Sequence, residues 1–482
     1  MGVLSHLKPE AVFYYFEDIC RIPHGSGNVA ALVDYCVAFA ETNGLEWERD
    51  EAQNLVIRKA ASPGYENADV LILQGHTDMV CEKEADLEFD FAKDAIRPYV
   101  DGDWLRAEGT TLGGDNGIAV AMCLALLADN SLPHPPLEVL LTSDEETGML
   151  GAFAFDCSRL KGHKLINLDS EYEGILMCSC AGGANAYSTL PVKKEKKSIQ
   201  RISLEISGLA SGHSGVEIHK GRANSNVLMA RLLKALTDKY GVQLLELQGG
   251  QRETAIACRS CAVVGAEEGV AKEVIACAKT IAQGFKKEYA TTEPGMQILI
   301  GDAGIGEADV VTAEDMKKLC RVLLALPDAV QAMSADMPGL VQTSVNFGVL
   351  ELREAEVYFS NTARSSMTSQ KMWILEKVAS IVELAGGTTE ISGNYPGWSY
   401  NPNSVVKDTI LAAYKKLFGK DATVDAVHAG IECGLFADSI PDLDCVSIGP
   451  EMADVHTPRE HLSISSVQRT YELLCEVLKE SR

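Results

Sequence analysis

Three apolar runs, DVLILQ (69–74), LEVLLT (137–142) and KLINLD (164–169), lack polar alternation and suit strands buried on both faces. Between the first two, Gly113-Gly114-Asp115 introduces a helical stretch, Asn116-Gly-Ile-Ala-Val-Ala-Met-Cys-Leu-Ala-Leu-Leu. Residues 9–20, PEAVFYYFEDIC, fit a helix with proline near its start and Ile22-Pro23 just past its end. Strands of this kind alternating with helices predict an α/β sheet, with function expected at the strand ends.

Near residue 184 the pattern changes. A charge run, Lys193-Lys-Glu-Lys-Lys197, precedes the alternating strand RISLEIS (201–207). A helix is predicted near 224–239, with strands near 254–265, 295–300 and 344–363. Thr312-Ala-Glu-Asp315 fits a capping box opening a helix that ends before Pro327. After Tyr395-Pro-Gly-Trp398 the chain returns to a helix and another buried-type run, DCVSIG (444–449). The expectation is an α/β domain over 1–184 and 397–482, interrupted by a smaller α+β domain over 185–396.

Length agrees with two domains, since 482 residues exceed one ordinary core. Hydrophobic residues at 46% and charged residues at 23% indicate a globular chain. A net charge of −25 argues against nucleic acid as a partner. No apolar run reaches the roughly 18 residues of a membrane span, so no membrane partner is expected. MGVLSHLKPEAV carries no signal-length apolar stretch and, with His6, misses the myristoylation pattern. Fourteen cysteines without framework spacing read as reduced thiols, which suits a cytoplasmic location.

The candidate chemistry gathers at strand ends. The run LILQ leads into Gly75-His76-Thr77-Asp78, which by itself reads more readily as a strand-end turn than as a metal-binding histidine oriented by a carboxylate. Asp115 is either a helix N-cap or, between its flexible glycines, a carboxylate able to bridge two ions. Asp144-Glu145-Glu146 follows a buried-type strand, where clustered acids are awkward unless positive charge joins them. Adjacent glutamates point in different directions, so one can bind metal while the other stays free as a base. Asp169 ends the next strand, and His456 follows the last one by a few residues. Each has a purely structural reading, but their coincidence matches a mixed N/O site for two divalent ions.

Other signals carry less. Cys258-Arg-Ser-Cys261 has no second pair and is read as structural, and Gly301-Asp-Ala-Gly-Ile-Gly306 does not complete a phosphate-binding glycine motif. No GxSxG elbow or Walker lysine motif occurs.

His76-Thr-Asp78, Gly114-Asp115-Asn116-Gly117, Glu145-Glu146-Thr-Gly148, Asp169 and His456-Thr-Pro resemble, in order, the metal and catalytic motifs of the M20 co-catalytic metallopeptidases. Arg21-Ile-Pro-His-Gly-Ser-Gly27, Ser211-Gly-His-Ser-Gly215, Ile218-His-Lys-Gly-Arg-Ala-Asn224 and His428-Ala-Gly-Ile-Glu-Cys-Gly434 are similar to the aminoacyl-histidine dipeptidase branch. The resemblance covers essentially the whole chain. It implies a zinc-peptidase-type catalytic domain with an inserted lid domain, two divalent metal ions per subunit taken as zinc, and a homodimer. It assigns His76 and Asp169 to one ion, Glu146 and His456 to the other, and Asp115 to a bridge. By the same resemblance Asp78 orients His76, Glu145 is the general base, and His213 acts at the scissile carbonyl. The site is then incomplete until the lid closes or a partner subunit supplies His213. Arg364, His428, Glu432 and His219 are assigned to substrate binding.

One departure stands out. The branch commonly reads Arg-Asn-Ala-Ile-Pro-Arg-Glu where this chain has Arg252-Glu-Thr-Ala-Ile-Ala-Cys-Arg259, so Thr254 replaces an asparagine and leaves substrate preference open. The expected activity is hydrolysis of small unblocked dipeptides, with Xaa-His among the candidates. The alternatives are another amidohydrolase of the superfamily, an aminoacylase or tripeptide aminopeptidase, and a non-catalytic metal-binding protein on the same fold.

Overall fold

Apolar runs without alternation need cover on both faces, and they find it at the centre of an eight-stranded sheet. The computed structural model describes residues 2–482. The order of strands is Glu46–Arg49, Leu55–Lys59, Leu137–Thr142, Leu71–His76, Lys164–Asn167, Asp444–Ser447, Ile175–Cys180 and Thr423–Val427. The four from Leu137–Thr142 to Asp444–Ser447 are mutually parallel. Every residue of Leu71–His76 and Leu137–Thr142 is buried. Their carboxyl ends therefore open on one sheet edge, the usual place for a site in α/β sheets.

The helix Gly114–Ala128 is apolar nearly all round and buried from Asn116 to Leu127, as a helix enclosed by its own domain must be. Lys59 closes its far end by donating to the carbonyls of Leu126 (3.2 Å) and Asp129 (2.8 Å). A cation there complements the negative end of the helix dipole. A small four-stranded sheet, Met452–Ala453, His461–Ser463, Trp104–Ala107 and Pro98–Asp101, fixes the turn that carries His456.

The chain forms two compact units, one of the residues up to Cys180 with Trp398–Ala426 and Ile431–Arg482, the other of Ala181–Gly397 with Val427–Gly430. The second is thus inserted into the first along the sequence. It holds a nine-stranded antiparallel sheet whose inner residues share one core with the helices Ser225–Tyr240, Ala271–Glu288, Ala313–Ala325 and Thr368–Leu384. The fold class is therefore α/β with an inserted α+β part, as read from the pattern. Thr312 caps Ala313–Ala325 by accepting from the Asp315 amide.

Two local readings change, and the rejection of the Gly301–Gly306 phosphate motif stands. The lysine run lies inside the strand Lys194–Ser207, where Lys196 and Ser198 stand opposite Asp309 and Glu307. Gly301–Gly306 lies inside its partner strand Gln297–Val311 and is no phosphate loop. The strand expected near 254–265 begins only at Ser260. Among the described residues no helix is long and apolar enough to cross a membrane.

Candidate metal centre

His76 is the last residue of its strand and 1% exposed, with its backbone N–H donating to Asn116 Oδ1 at 3.1 Å. Its Nε2 stands 3.1 Å from Asp115 Oδ1 and 3.3 Å from Asp169 Oδ1. His456 comes from the turn between Met452–Ala453 and His461–Ser463. Its Nε2 lies 3.2 Å from Asp115 Oδ2 and 2.9 Å from Glu146 Oε1. Asp115 thus stands between the two imidazoles and offers one oxygen to each. It can do so because it is not yet helical: Asp115 and Asn116 depart from helical φ/ψ inside Gly114–Ala128.

Asp78 organises one side of this group. Its Oδ1 accepts the Glu145 amide at 2.9 Å and lies 3.3 Å from His76 Nδ1, while Oδ2 accepts the Glu146 amide at 3.2 Å. That carboxylate therefore sets the backbone of both glutamates, while the His76 ring is held at Nδ1 by the Asp78 main-chain carbonyl at 3.0 Å together with the carboxylate. Two further residues do comparable work and were not singled out from the sequence. Ser26 donates to Asp78 Oδ2 at 2.7 Å, and Asn116 ties His76 to the Leu168 carbonyl through its amide at 2.9 Å. Both lie inside quoted motifs, which was their only signal. Asp144 accepts the Gly27 amide at 2.6 Å, fastening the Ser26 loop to the acidic turn.

The electrostatics follow from crowding. Although burial works against it, Asp115 is held well below the usual carboxylate range by its contacts with His456 and His76. Hydrogen bonds to Asp115 and Glu146 raise His456 to about 11. Burial pushes Glu145 up to about 9 and Asp169 up to about 7, in both cases against the pull of His76. These groups fit a divalent cation: imidazole nitrogens and carboxylate oxygens converge, and ligand-type atoms of His76, Asp115 and Glu146 lie within 4.8 Å of one another. Positive charge placed there would let the acids stay ionised together.

The inserted unit gathers a second group. His213 Nδ1 accepts the amides of Gly215 and Val216, each at 3.2 Å, so its neutral ring carries the proton on Nε2. Burial and the nearby Arg364 charge keep that ring below its ordinary pKa. Arg364, 6% exposed, donates from Nη1 to the Tyr395 hydroxyl at 2.8 Å. Gly215 packs between them: a Cβ there would lie 3.0 Å from His213 Cε1, 3.2 Å from Arg364 Cδ and 2.3 Å from the His428 carbonyl. His428 is itself buried, with Nε2 2.7 Å from Ser344 Oγ and a pKa lowered to about 3, first by burial and then by Arg364.

His213, Arg364 and His428 are thus brought together, while His219 is exposed on the short helix Ile218–Lys220. Glu432 belongs to the other unit, wholly buried, where it accepts from Gln74 (2.6 Å) and Thr142 (2.9 Å). Thr254 is exposed, and its carbonyl, not its side chain, accepts the Ser214 amide at 2.8 Å.

The chain is similar to known proteins over nearly its whole length. The chain is 39% identical to the cytosol non-specific dipeptidase of Escherichia coli over 482 residues, covering 100% of this chain and 99% of that one. Its structure matches an aminoacylhistidine dipeptidase from Vibrio alginolyticus with a TM-score of 0.95 and 36% identity, over 99% of this chain and 98% of the other. The aminopeptidase PepT from Bacillus cereus shares the fold, with a TM-score of 0.59 at 14% identity over 98% and 99% of the two chains. Residues 72–480 match peptidase family M20/M25/M40. The chain belongs to that family and is a hydrolase of peptide bonds.

Proposed function

We propose that the protein is a di-metal dipeptidase acting on small unblocked dipeptides, with Xaa-His among its substrates. The observation that carries this reading is Asp115, which presents one oxygen to His76 and the other to His456. On this reading His76 and Asp169 hold one divalent ion, His456 and Glu146 the other, and Asp115 both. Two such ions, when bound, supply Lewis-acid polarisation and make water more acidic. Zinc is the assignment for both, on the mixed N/O donor set.

The chain's own groups then divide the work. Asp78 holds the His76 ring through Nδ1, leaving Nε2 for the centre. Glu145 takes the proton of the attacking water and returns it to the leaving amine. Its buried setting makes it a strong proton acceptor once ionised, and cationic charge among its neighbours favours that form. In the inserted unit, the Nε2–H of His213 suits a developing oxyanion and the Arg364 guanidinium suits a substrate carboxylate. His428 and His219 are assigned to substrate contacts near them, and Glu432 to one from its own unit.

The names of the two close relatives support a dipeptide substrate. The reading includes a cytosolic setting, in line with the fourteen free cysteines and the name of the E. coli relative, and a homodimer. The test is a panel of dipeptides, tripeptides and N-acetyl amino acids offered to the metal-loaded protein. Turnover of unblocked dipeptides is expected, falling by about 10²–10⁴-fold in Glu145→Gln. Turnover of N-acetyl amino acids with none of dipeptides would overturn the reading, as would an unimpaired Glu145→Gln enzyme.

A further inference from the structure

We infer that Glu460 is a positioning residue of the metal centre, a buried carboxyl group that locks the backbone beneath Asp115 to the turn that carries His456. The inference rests on the metal-centre reading above. Glu460 is 3% exposed. Its Oε2 accepts the amides of Leu112 (2.7 Å) and Gly113 (3.2 Å), and its Oε1 those of Gly114 (2.8 Å) and Asp115 (3.4 Å). Consecutive amides rarely face one point unless the backbone folds around an anion, and here Gly113 supplies the turn with φ of 70°. A Cβ on Gly114 would sit 3.1 Å from Glu460 Oε1, a tight contact to which the carboxyl group would have to yield by a few tenths of an ångström.

An ordinary helix cap would come from the residue next to the helix. The N-cap of Gly114–Ala128 is Gly113, which has no side chain to offer. The acceptor arrives instead from 348 residues beyond Leu112, on the turn that presents His456. That turn is bonded to itself: the Glu460 amide donates to the Thr457 carbonyl at 3.0 Å, and Thr457 Oγ1 donates to the Asp454 carbonyl at 2.7 Å. It is also pinned at its exit, where His461 pairs with Arg106. One buried carboxylate therefore joins the segment bearing Asp115 to the segment bearing His456. Because Asp115 faces both imidazoles, a shift of its backbone changes the distance to each. A helix-stabilising role alone would not require the acceptor to come from the His456 turn.

The test compares zinc titrations of the metal-stripped wild type, Glu460→Gln, Glu460→Asp and, as a control, Glu173→Gln. Glu173 pairs with Arg469 in the same unit and makes no hydrogen bond to the ligands named above. Wild type is expected to take up two zinc ions. In Glu460→Gln the weaker ion should lose about 10–100-fold in affinity. The amides of residues 112–115 should exchange faster, and kcat should fall with KM nearly unchanged. Glu460→Asp should recover part of the affinity, and it carries the comparison if the glutamine variant does not fold. Glu173→Gln should melt at a lower temperature with wild-type zinc affinity. A folded Glu460 variant with wild-type zinc affinity and amide exchange overturns the inference, as does an affinity loss no larger than the control's. If wild type itself takes up no zinc, the metal reading fails and the inference falls with it.

Discussion

The two histidines of the centre are held in opposite ways. His76 ends a central parallel strand, is 1% exposed, and has its backbone fixed by Asn116 and its ring by Asp78. His456 sits in a turn with φ of 60°, its side chain 47% exposed, and its ring touches Asp115 and Glu146. One half of the centre is a product of the sheet, fixed by the same burial that folds the domain. The other half depends on loops brought into place by hydrogen bonds. The two metal positions should therefore differ in affinity, the His76 position binding more tightly because its ligands lose less freedom on binding.

The largest way to break this asymmetry is His76→Ala. It should abolish dipeptide hydrolysis and metal uptake at its own position, and lower the thermal midpoint, since a buried, fully hydrogen-bonded side chain is lost. Elemental analysis together with a melting curve checks this. His456→Ala should also remove activity, yet leave one tightly bound ion and a nearly unchanged midpoint. Equal metal loss in both variants would end the comparison.

Asp78→Asn comes next. The amide cannot accept everywhere the carboxylate does, and a loss of about 10–100-fold in metal affinity is expected by competition with a chelator. Ser26→Ala should cost less, about 1 kcal/mol or roughly five-fold, because a single hydrogen bond to that carboxylate is removed.

Proton linkage sharpens the same contrast. His456 is raised to about 11 by Asp115 and Glu146, and His76 is also raised well above its ordinary value by its carboxylate neighbours against burial. Both rings must shed protons to bind metal. Affinity should therefore fall as pH is lowered, and calorimetry in buffers of different ionisation heat should show proton release. Metal uptake with no proton release would contradict this.

How much of this was legible follows the same division. Strands buried on both faces announce themselves as continuous apolar runs, so Leu71–His76, Leu137–Thr142, Lys164–Asn167 and Asp444–Ser447 could be read, and with them His76, the Glu145-Glu146 turn and Asp169. The helix behind Asp115 was legible for the same reason. What escaped depends on partners remote in sequence. Lys194–Ser207 looked like a charged break because the acids on the facing strand, Asp309 opposite Lys196 and Glu307 opposite Ser198, come over a hundred residues later. The short strands around His456 carry too few residues for any period to show. Ser26 and Glu460 have no chemistry of their own that marks them; each matters only through the group it reaches across the fold.

The most direct test of a two-ion centre is a titration of metal-stripped protein with zinc, reading dipeptide hydrolysis and bound metal together. No hydrolysis is expected without metal, and full activity only when a second ion has bound per chain. Hydrolysis by the metal-free protein, or full activity with a single ion bound, would contradict it.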